Sequence, residues 1–195
     1  KSDPYLLALR TAGRVLPAVL IAGMIIVPLL RQIGLRLPFL PNERDMLFLS
    51  AALAMGPGLA VNLILKSYWG RPRPQDTTIF GGQEQFTIAW WPWGECSSNC
   101  SFVSGEASTA VFMMAIAALV PRRWRLRVLC AAAVWTIAIS LNRIAFGAHF
   151  LSDVLISWTL TLAIISLVYL FVYSTAADSE GSQSKTSRTL AVSAE

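Results

Sequence analysis

Apolar residues in this chain come in long runs separated by short polar breaks. Residues 46–65 give 20 positions without a charge, about the length needed to cross a bilayer's hydrocarbon core. Runs at 15–30, 102–120, 128–141 and 154–173 follow the same pattern. Five runs of this kind predict an all-α, polytopic membrane helical bundle. The run at 15–30 is short and carries Pro17 and Pro28, so it must borrow length from 12–14 or 32–33. The preceding 1–14 mixes apolar residues with Asp3, Arg10 and Arg14, and reads as an interfacial amphipathic helix or the remnant of an earlier span. Gly56-Pro57-Gly58 predicts a kink inside 46–65. The polar breaks are a connector at 32–45, one long loop at 66–101, a tight turn at 121–127 and the stretch 142–153. Residues 1–173 therefore form a single transmembrane domain, and the Ser/Thr/Ala-rich 174–195 reads as a disordered cytoplasmic tail.

Composition agrees with the pattern. The chain is 55% hydrophobic and 14% charged, with mean hydropathy +0.56, whereas a soluble domain carries about 25% charged residues. The net charge of +5 comes from 13 arginines and three lysines. No basic stripe interleaved with aromatics lies outside the apolar runs, so this charge points to membrane topology rather than to nucleic acid. Arg122, Arg123, Arg125 and Arg127 share one turn with no acid, which marks that turn as cytoplasmic. Counting from it puts 66–101 and 142–153 on the outer face. The N-terminus then also falls outside, where Lys1, Arg10 and Arg14 fit the rule poorly. A preceding span, absent from this sequence, would remove that conflict.

Two runs fall short on the same side. Residues 128–141 give 14 apolar positions before Asn142, and 107–120 give 14 after Glu106. Polar groups there must sit below the membrane surface, within protein or a water-filled pocket. Three clusters meet at that level: Lys66, Arg71 and Arg73; Ser104, Gly105 and Glu106; and Arg143, His149 and Asp153. His149 is the only histidine. If 149–153 is helical, His149 and Asp153 share one face. The carboxylate then fixes one ring nitrogen and leaves the other bare as a nucleophile. Attack on phosphorus would need its oxygens neutralised, which Lys66, Arg73 and Arg143 can do. No carboxylate cluster or second histidine offers a metal site, and no cofactor is called for.

Each residue also has a plainer reading. A lone histidine is more often a packing residue, and Arg71 reads best as a membrane-end anchor. Glu106 and Asp153 can serve simply as acids in the first turn of a helix, and Asn142 can satisfy a helix end. Trp90, Trp91 and Trp93 read as an interfacial belt or as a lid over a headgroup. Cys96 and Cys100 flank Ser-Ser-Asn with no further Cys or His nearby, which favours a disulfide in an oxidising compartment over zinc. Cys130 falls inside a span and is expected in the core.

Lys66-x6-Arg73-Pro74, then Ser104-Gly105, then Arg143-x5-His149-x3-Asp153 resembles the type 2 phosphatidic acid phosphatase family of membrane lipid phosphatases. The likeness covers about half the chain, in order, spacing and position relative to the spans. It implies a six-span bundle, an outer-facing site and a phosphohistidine on His149. By the same likeness Asp153 orients the histidine, and Lys66, Arg73, Ser104, the Gly105 backbone and Arg143 hold the phosphate. The sequence departs from the pattern in showing five spans, in Asn142 where serine is usual, and at Glu106. There the family carries the histidine that protonates the leaving oxygen, and Val103 replaces the preceding proline. Glu106 is accordingly the candidate general acid.

The expectation is a metal-independent phosphatase of a bacterial inner membrane with a periplasmic site. It would take from the outer leaflet a lipid phosphate such as phosphatidylglycerophosphate, phosphatidic acid, undecaprenyl pyrophosphate or lipid A. A lipid phosphotransferase using the same site, and a membrane protein that binds lipid phosphate without turning it over, remain open.

Overall fold

The structure is a computed structural model that describes residues 3–35 and 41–192, with side chains followed to residue 174. Part of the predicted connector, 36–40, lies outside the described residues. Five helices account for the apolar runs: α1 (Pro4–Gln32), α2 (Glu43–Tyr68), α3 (Gly105–Ala118), α4 (Arg122–Ala145) and α5 (Leu151–Val192). Four are long and apolar enough to cross a membrane, with mean hydropathy of 1.7 to 2.2, and α3 is the shorter one. No strand occurs among the described residues, only an isolated bridge between Thr77 and Glu84.

The shortest helix is the central one. α3 packs against each of the other four, and its Ala107, Ser108, Ala110, Ala115 and Ala117 are buried. Small side chains let neighbouring backbones come close where no solvent drives association. Ser108 and Thr161 share a hydrogen bond of 2.7 Å between α3 and α5. One apolar core joins Phe48, Leu49 and Ala52 of α2 to Val111, Phe112 and Ala115 of α3 and to Ile165, Val168 and Val172 of α5. Outward-facing Val15, Val19, Ile25, Ile26 and Leu29 of α1 are exposed, as lipid-facing residues must be. Cys130 also lies on an exposed face rather than in the core.

Three expectations need correction. First, α1 is one continuous helix, and 4–14 is its first third, not a separate interfacial segment. Asp3 caps it by accepting from the Tyr5 and Leu6 amides at 2.8 and 3.2 Å, and Pro4 takes the first turn, where its missing N–H costs nothing. Second, the break expected at Gly56-Pro57-Gly58 takes the form of a π-helix over Ala54–Leu65. Pro57 cannot donate to Leu53, so the register loosens, and Asn62 Nδ2 donates to the Pro57 carbonyl at 2.6 Å. Third, Asn142 does not serve its own helix end; its Nδ2 donates to the Leu6 carbonyl at 2.9 Å and ties α4 to α1. The backbone of α5 is helical as far as Val192.

α2 and α3 meet at a contact only glycine permits. A Cβ on Gly105 would stand 2.5 Å from Asn62 Oδ1, and that amide is already held by Pro57. Gly105→Ala is expected to cost about 1–3 kcal/mol, as overpacking does. Thermal unfolding in detergent should show Asn62→Ala restoring part of that loss in the double variant. Strict additivity would mean that the two residues do not collide.

Candidate active site

His149 stands just past the end of α4, and a turn aims it. Phe146 caps the helix, Gly147 adopts φ +63°, and the amides of Gly147 and Ala148 return to the carbonyls of Ile144 and Arg143 at 2.8 and 3.1 Å. This is a Schellman ending, in which the left-handed residue reverses the chain. The Gly147 carbonyl also accepts from the Gln75 amide at 3.0 Å, which docks the long loop on the turn.

The histidine is 2% exposed, and its Nδ1 lies 2.7 Å from the Ser101 carbonyl. A carbonyl only accepts, so Nδ1 carries the proton and Nε2 has the free lone pair. Burial pulls the imidazole down from its ordinary 6.5 to about 3. The Ser101 hydrogen bond opposes that shift, while the charges of Arg143, Lys66 and Arg73 add to it. The ring is neutral throughout the physiological range, as a nitrogen nucleophile requires.

Asp153 does not reach the ring directly. Residue 149 precedes α5, so the helical i,i+4 geometry is absent. Asp153 instead sits in the first turn of α5 and accepts from the Phe150 amide at 3.0 Å. Its carboxylate also accepts from Ser101 Oγ at 2.6 Å and from Arg71 Nη1. Ser101 is therefore the relay, with its hydroxyl on Asp153 and its carbonyl on His149.

Arg71, which the sequence presents as a membrane-end anchor, is the other correction. It is 3% exposed, donates to the Thr87 carbonyl at 3.0 Å and to Ser152 Oγ at 2.9 Å, and stacks 4.2 Å over Phe150. Its own carbonyl accepts from the Ser101 amide at 2.8 Å. The sequence places Arg71 in the first cationic cluster without this role, and nothing in it points to Ser101. The only local signal is the doubled Arg-Pro of 71–74.

The remaining predicted residues divide into two groups. Lys66, Gly105 and Glu106 line one cleft of about 250 Å³ together with Gly13, Arg14 and Thr109. Arg143 Nε lies 3.4 Å from Glu106 Oε2, which joins it to that cleft. Arg73 is turned elsewhere: its Nε and Nη2 donate to the Asn99 carbonyl at 3.2 and 2.8 Å. Asn99 sits in a loop closed by a Cys96–Cys100 disulfide, with Cα atoms 5.7 Å apart. Ser104 is fully buried as the cap of α3; its Oγ accepts from the Ala107 amide and its carbonyl accepts from Ser157.

A second cleft, of about 450 Å³, is lined by Ile21, Met24, Ile25 and Leu53, and it shares Asn62 and Thr109 with the first. The two clefts adjoin, an apolar one between α1 and α2 and one that Lys66 and Arg14 line. Trp90 and Trp93 are exposed on the long loop. Among the described residues no group of three His, Cys, Asp or Glu side chains could hold a metal ion.

The helical membrane fold and the order of the three motifs around a single buried histidine place the chain in one class. The chain belongs to the PAP2 superfamily, whose model matches residues 47–176. It is 45% identical over 115 residues to the lipid A 4'-phosphatase of Rhizobium etli, a match covering 59% of this chain and 45% of that protein. The protein of that name from Rhizobium leguminosarum is 45% identical over 114 residues, covering 58% and 49%. The lipid A 4'-phosphatase of Francisella tularensis subsp. novicida is 34% identical over 132 residues, covering 67% and 60%. The chain thus spans about half the length of the Rhizobium relatives it matches. No solved structure matches it.

The imidazole of the single histidine should show no titration between pH 8 and 5 by NMR. A midpoint near 6.5 would mean that the ring is solvated. Because the unfolded ring takes up a proton below 6.5 and the folded ring does so only near 3, stability should fall as pH drops through that window. Arg71→Ala strands a buried carboxylate and should cost about 3–5 kcal/mol, whereas replacing Arg71 and Asp153 together by Met and Asn should cost less than either single change.

Proposed function

We propose that the chain carries a metal-independent phosphatase site for a phosphate ester of a membrane lipid. The observation that carries this reading is His149, buried and held at Nδ1 by the Ser101 carbonyl, with the positive charges of Arg143, Lys66 and Arg73 acting on its ring. Nε2 attacks phosphorus, the phosphorus–oxygen bond to the lipid breaks, and a phosphohistidine forms. Water then attacks phosphorus, the nitrogen–phosphorus bond breaks, and inorganic phosphate leaves with the water's proton. Lys66 and Arg143 stabilise the equatorial oxygens in both steps. Arg73 joins them once its hydrogens leave Asn99.

The pair of adjoining clefts supports a lipid over a soluble ester, because chains can rest in the apolar groove while the headgroup reaches Lys66 and Arg143. The relatives' names favour lipid A as the substrate to try first. The arginine-rich turn at 121–127 lies at the end of the bundle opposite His149, and the disulfide lies at the same end as His149. Both support an inner-membrane protein with its site facing the periplasm and its C-terminal tail in the cytoplasm.

Glu106 occupies the position of the family's acid, and the reading keeps it as the donor to the leaving oxygen. Its ion pairs with Arg10, Arg14 and Arg143, at 3.9, 3.4 and 3.4 Å, favour the alternative, an ionised fixed charge that leaves water to protonate the departing oxygen. Glu106→Gln separates the two. Loss of a donor lowers turnover by about 10²–10⁴-fold on a lipid alkoxide but spares a nitrophenyl ester. Loss of a fixed charge alters both substrates alike.

The deciding experiment is phosphate release from a panel of purified lipid phosphates, wild type against His149→Ala, with acid-labile, base-stable labelling of His149 as the covalent readout. Release above the variant with water as sole acceptor supports a phosphatase. Transfer to a second lipid would mean a phosphotransferase, and binding without release would leave a lipid-phosphate-binding protein.

A further inference from the structure

Arg10 and Arg14 belong to α1, outside residues 47–176 where the family matches, yet both guanidiniums reach Glu106 on α3. Arg143 approaches the same carboxylate from α4. The contacts, at 3.4 to 3.9 Å, are looser than the roughly 2.7–2.9 Å of a charge-assisted hydrogen bond. Only the Arg14 contact has hydrogen-bond geometry. Arg10 Nε, Arg143 Nε and Nη1, and Glu106 Oε2 are buried without a hydrogen-bond partner. Arg143 as a whole is only 4% exposed. Unpaired buried donors on a guanidinium are costly and call for an acceptor.

The guanidiniums are also held in place. Arg10 and Arg143 both lie against the Phe146 ring, at 5.5 and 5.9 Å from its centroid. The Asn142–Leu6 hydrogen bond fixes α1 on α4 one turn from Arg10. The cluster sets three arginines and Lys66 against one carboxylate. A single phosphate on His149 draws on Lys66, Arg143 and Arg73, and leaves Arg10 and Arg14 beyond what it needs.

We propose that Arg10 and Arg14, with Glu106 as their counter-ion, form a second anion subsite that takes an additional phosphate or carboxylate carried by the same lipid headgroup. This deepens the proposed function and rests on it for the identity of the reacting phosphate. Glu106 keeps the arginines spaced, and the headgroup anion supplies an acceptor to the unpartnered Nε of Arg10 and to the half-exposed guanidinium of Arg14. α1 thereby makes the protein selective for lipids bearing two anionic groups.

The test uses the full chain in neutral detergent and two lipids with identical acyl chains and one phosphate monoester, one of them bearing a second anionic group. Wild type should prefer the doubly anionic lipid in kcat/KM by about tenfold or more, the worth of one or two charged hydrogen bonds. Arg14→Gln and Arg10→Gln should each collapse that ratio through KM, and Arg14→Lys should keep most of it. Thermal midpoints check that the variants are folded. A wild-type ratio near one, or an equal fall on both lipids in the glutamine variants, overturns the subsite. So does a gain on the singly anionic lipid when a separate anionic lipid without a phosphate monoester is added, since a neighbour would then be filling it. Equilibrium binding to His149→Ala, read by tryptophan fluorescence, separates the two readings. If no lipid is hydrolysed but Arg14→Gln still erases a binding preference in that background, the phosphatase reading fails and the subsite stands.

Discussion

The buried ion pair of Arg71 and Asp153 organises the end of the bundle that carries His149. Neither charge belongs in a low-dielectric interior unless its remaining hydrogens and lone pairs are met. Here they are: Asp153 takes Ser101 Oγ, the Phe150 amide and Arg71, and Arg71 takes the Thr87 carbonyl and Ser152. Those partners come from the long loop and from α5, so the pair ties the loop to the bundle. The histidine inherits its position from this arrangement, because the backbone that meets Nδ1 is that of Ser101. Asp153 acts on the histidine, but at one remove, through a residue held from both sides.

The same physics explains why α1 matters. Arg10 and Arg14 are set against Glu106, so α1 turns these charges toward α3 and not toward lipid. Asn142 strengthens that arrangement, since it reaches α1 where the family uses a smaller serine. Glu106 and Asn142, two of the departures read from the motifs, thus both involve the same helix. A carboxylate that accommodates two extra arginines and an amide that pins the helix carrying them form a coherent set.

The spans were legible because bilayer thickness imposes a length on apolar runs, and 46–65 and 154–173 stand out on that ground alone. The chemistry was legible where a charge interrupts such a run, as at Lys66, Glu106, Arg143 and His149. What escaped was non-local. Nothing near Arg71 announces that Thr87 and Ser152 will receive its hydrogens. Ser101 looks like any loop serine until the disulfide and the Arg71 carbonyl place its backbone. The His149–Asp153 spacing misled because it presumes a helix through both, whereas Gly147 ends α4 and α5 begins only at Leu151. α1 was misread at its start because Arg10 and Arg14 dilute the apolar signal that its neighbours sustain.

The π-helical segment of α2 connects these parts. Pro57 removes a backbone donor midway along the helix, and the wider turn carries Asn62 to where it can meet Pro57 and touch Gly105. Asn62 also stands where the apolar groove meets the cationic cleft. A regular helix would turn residue 62 by a different angle and shift Lys66, one turn further on, relative to Gly105 and Glu106. The proline that weakens α2 as a span therefore sets the register of the lysine that faces the cleft. Gly105 in turn lets α3 start close enough for Glu106 to reach α1. Local irregularity in the membrane is tolerated only where protein or water meets the freed backbone groups, and here it coincides with the passage from lipid to charge.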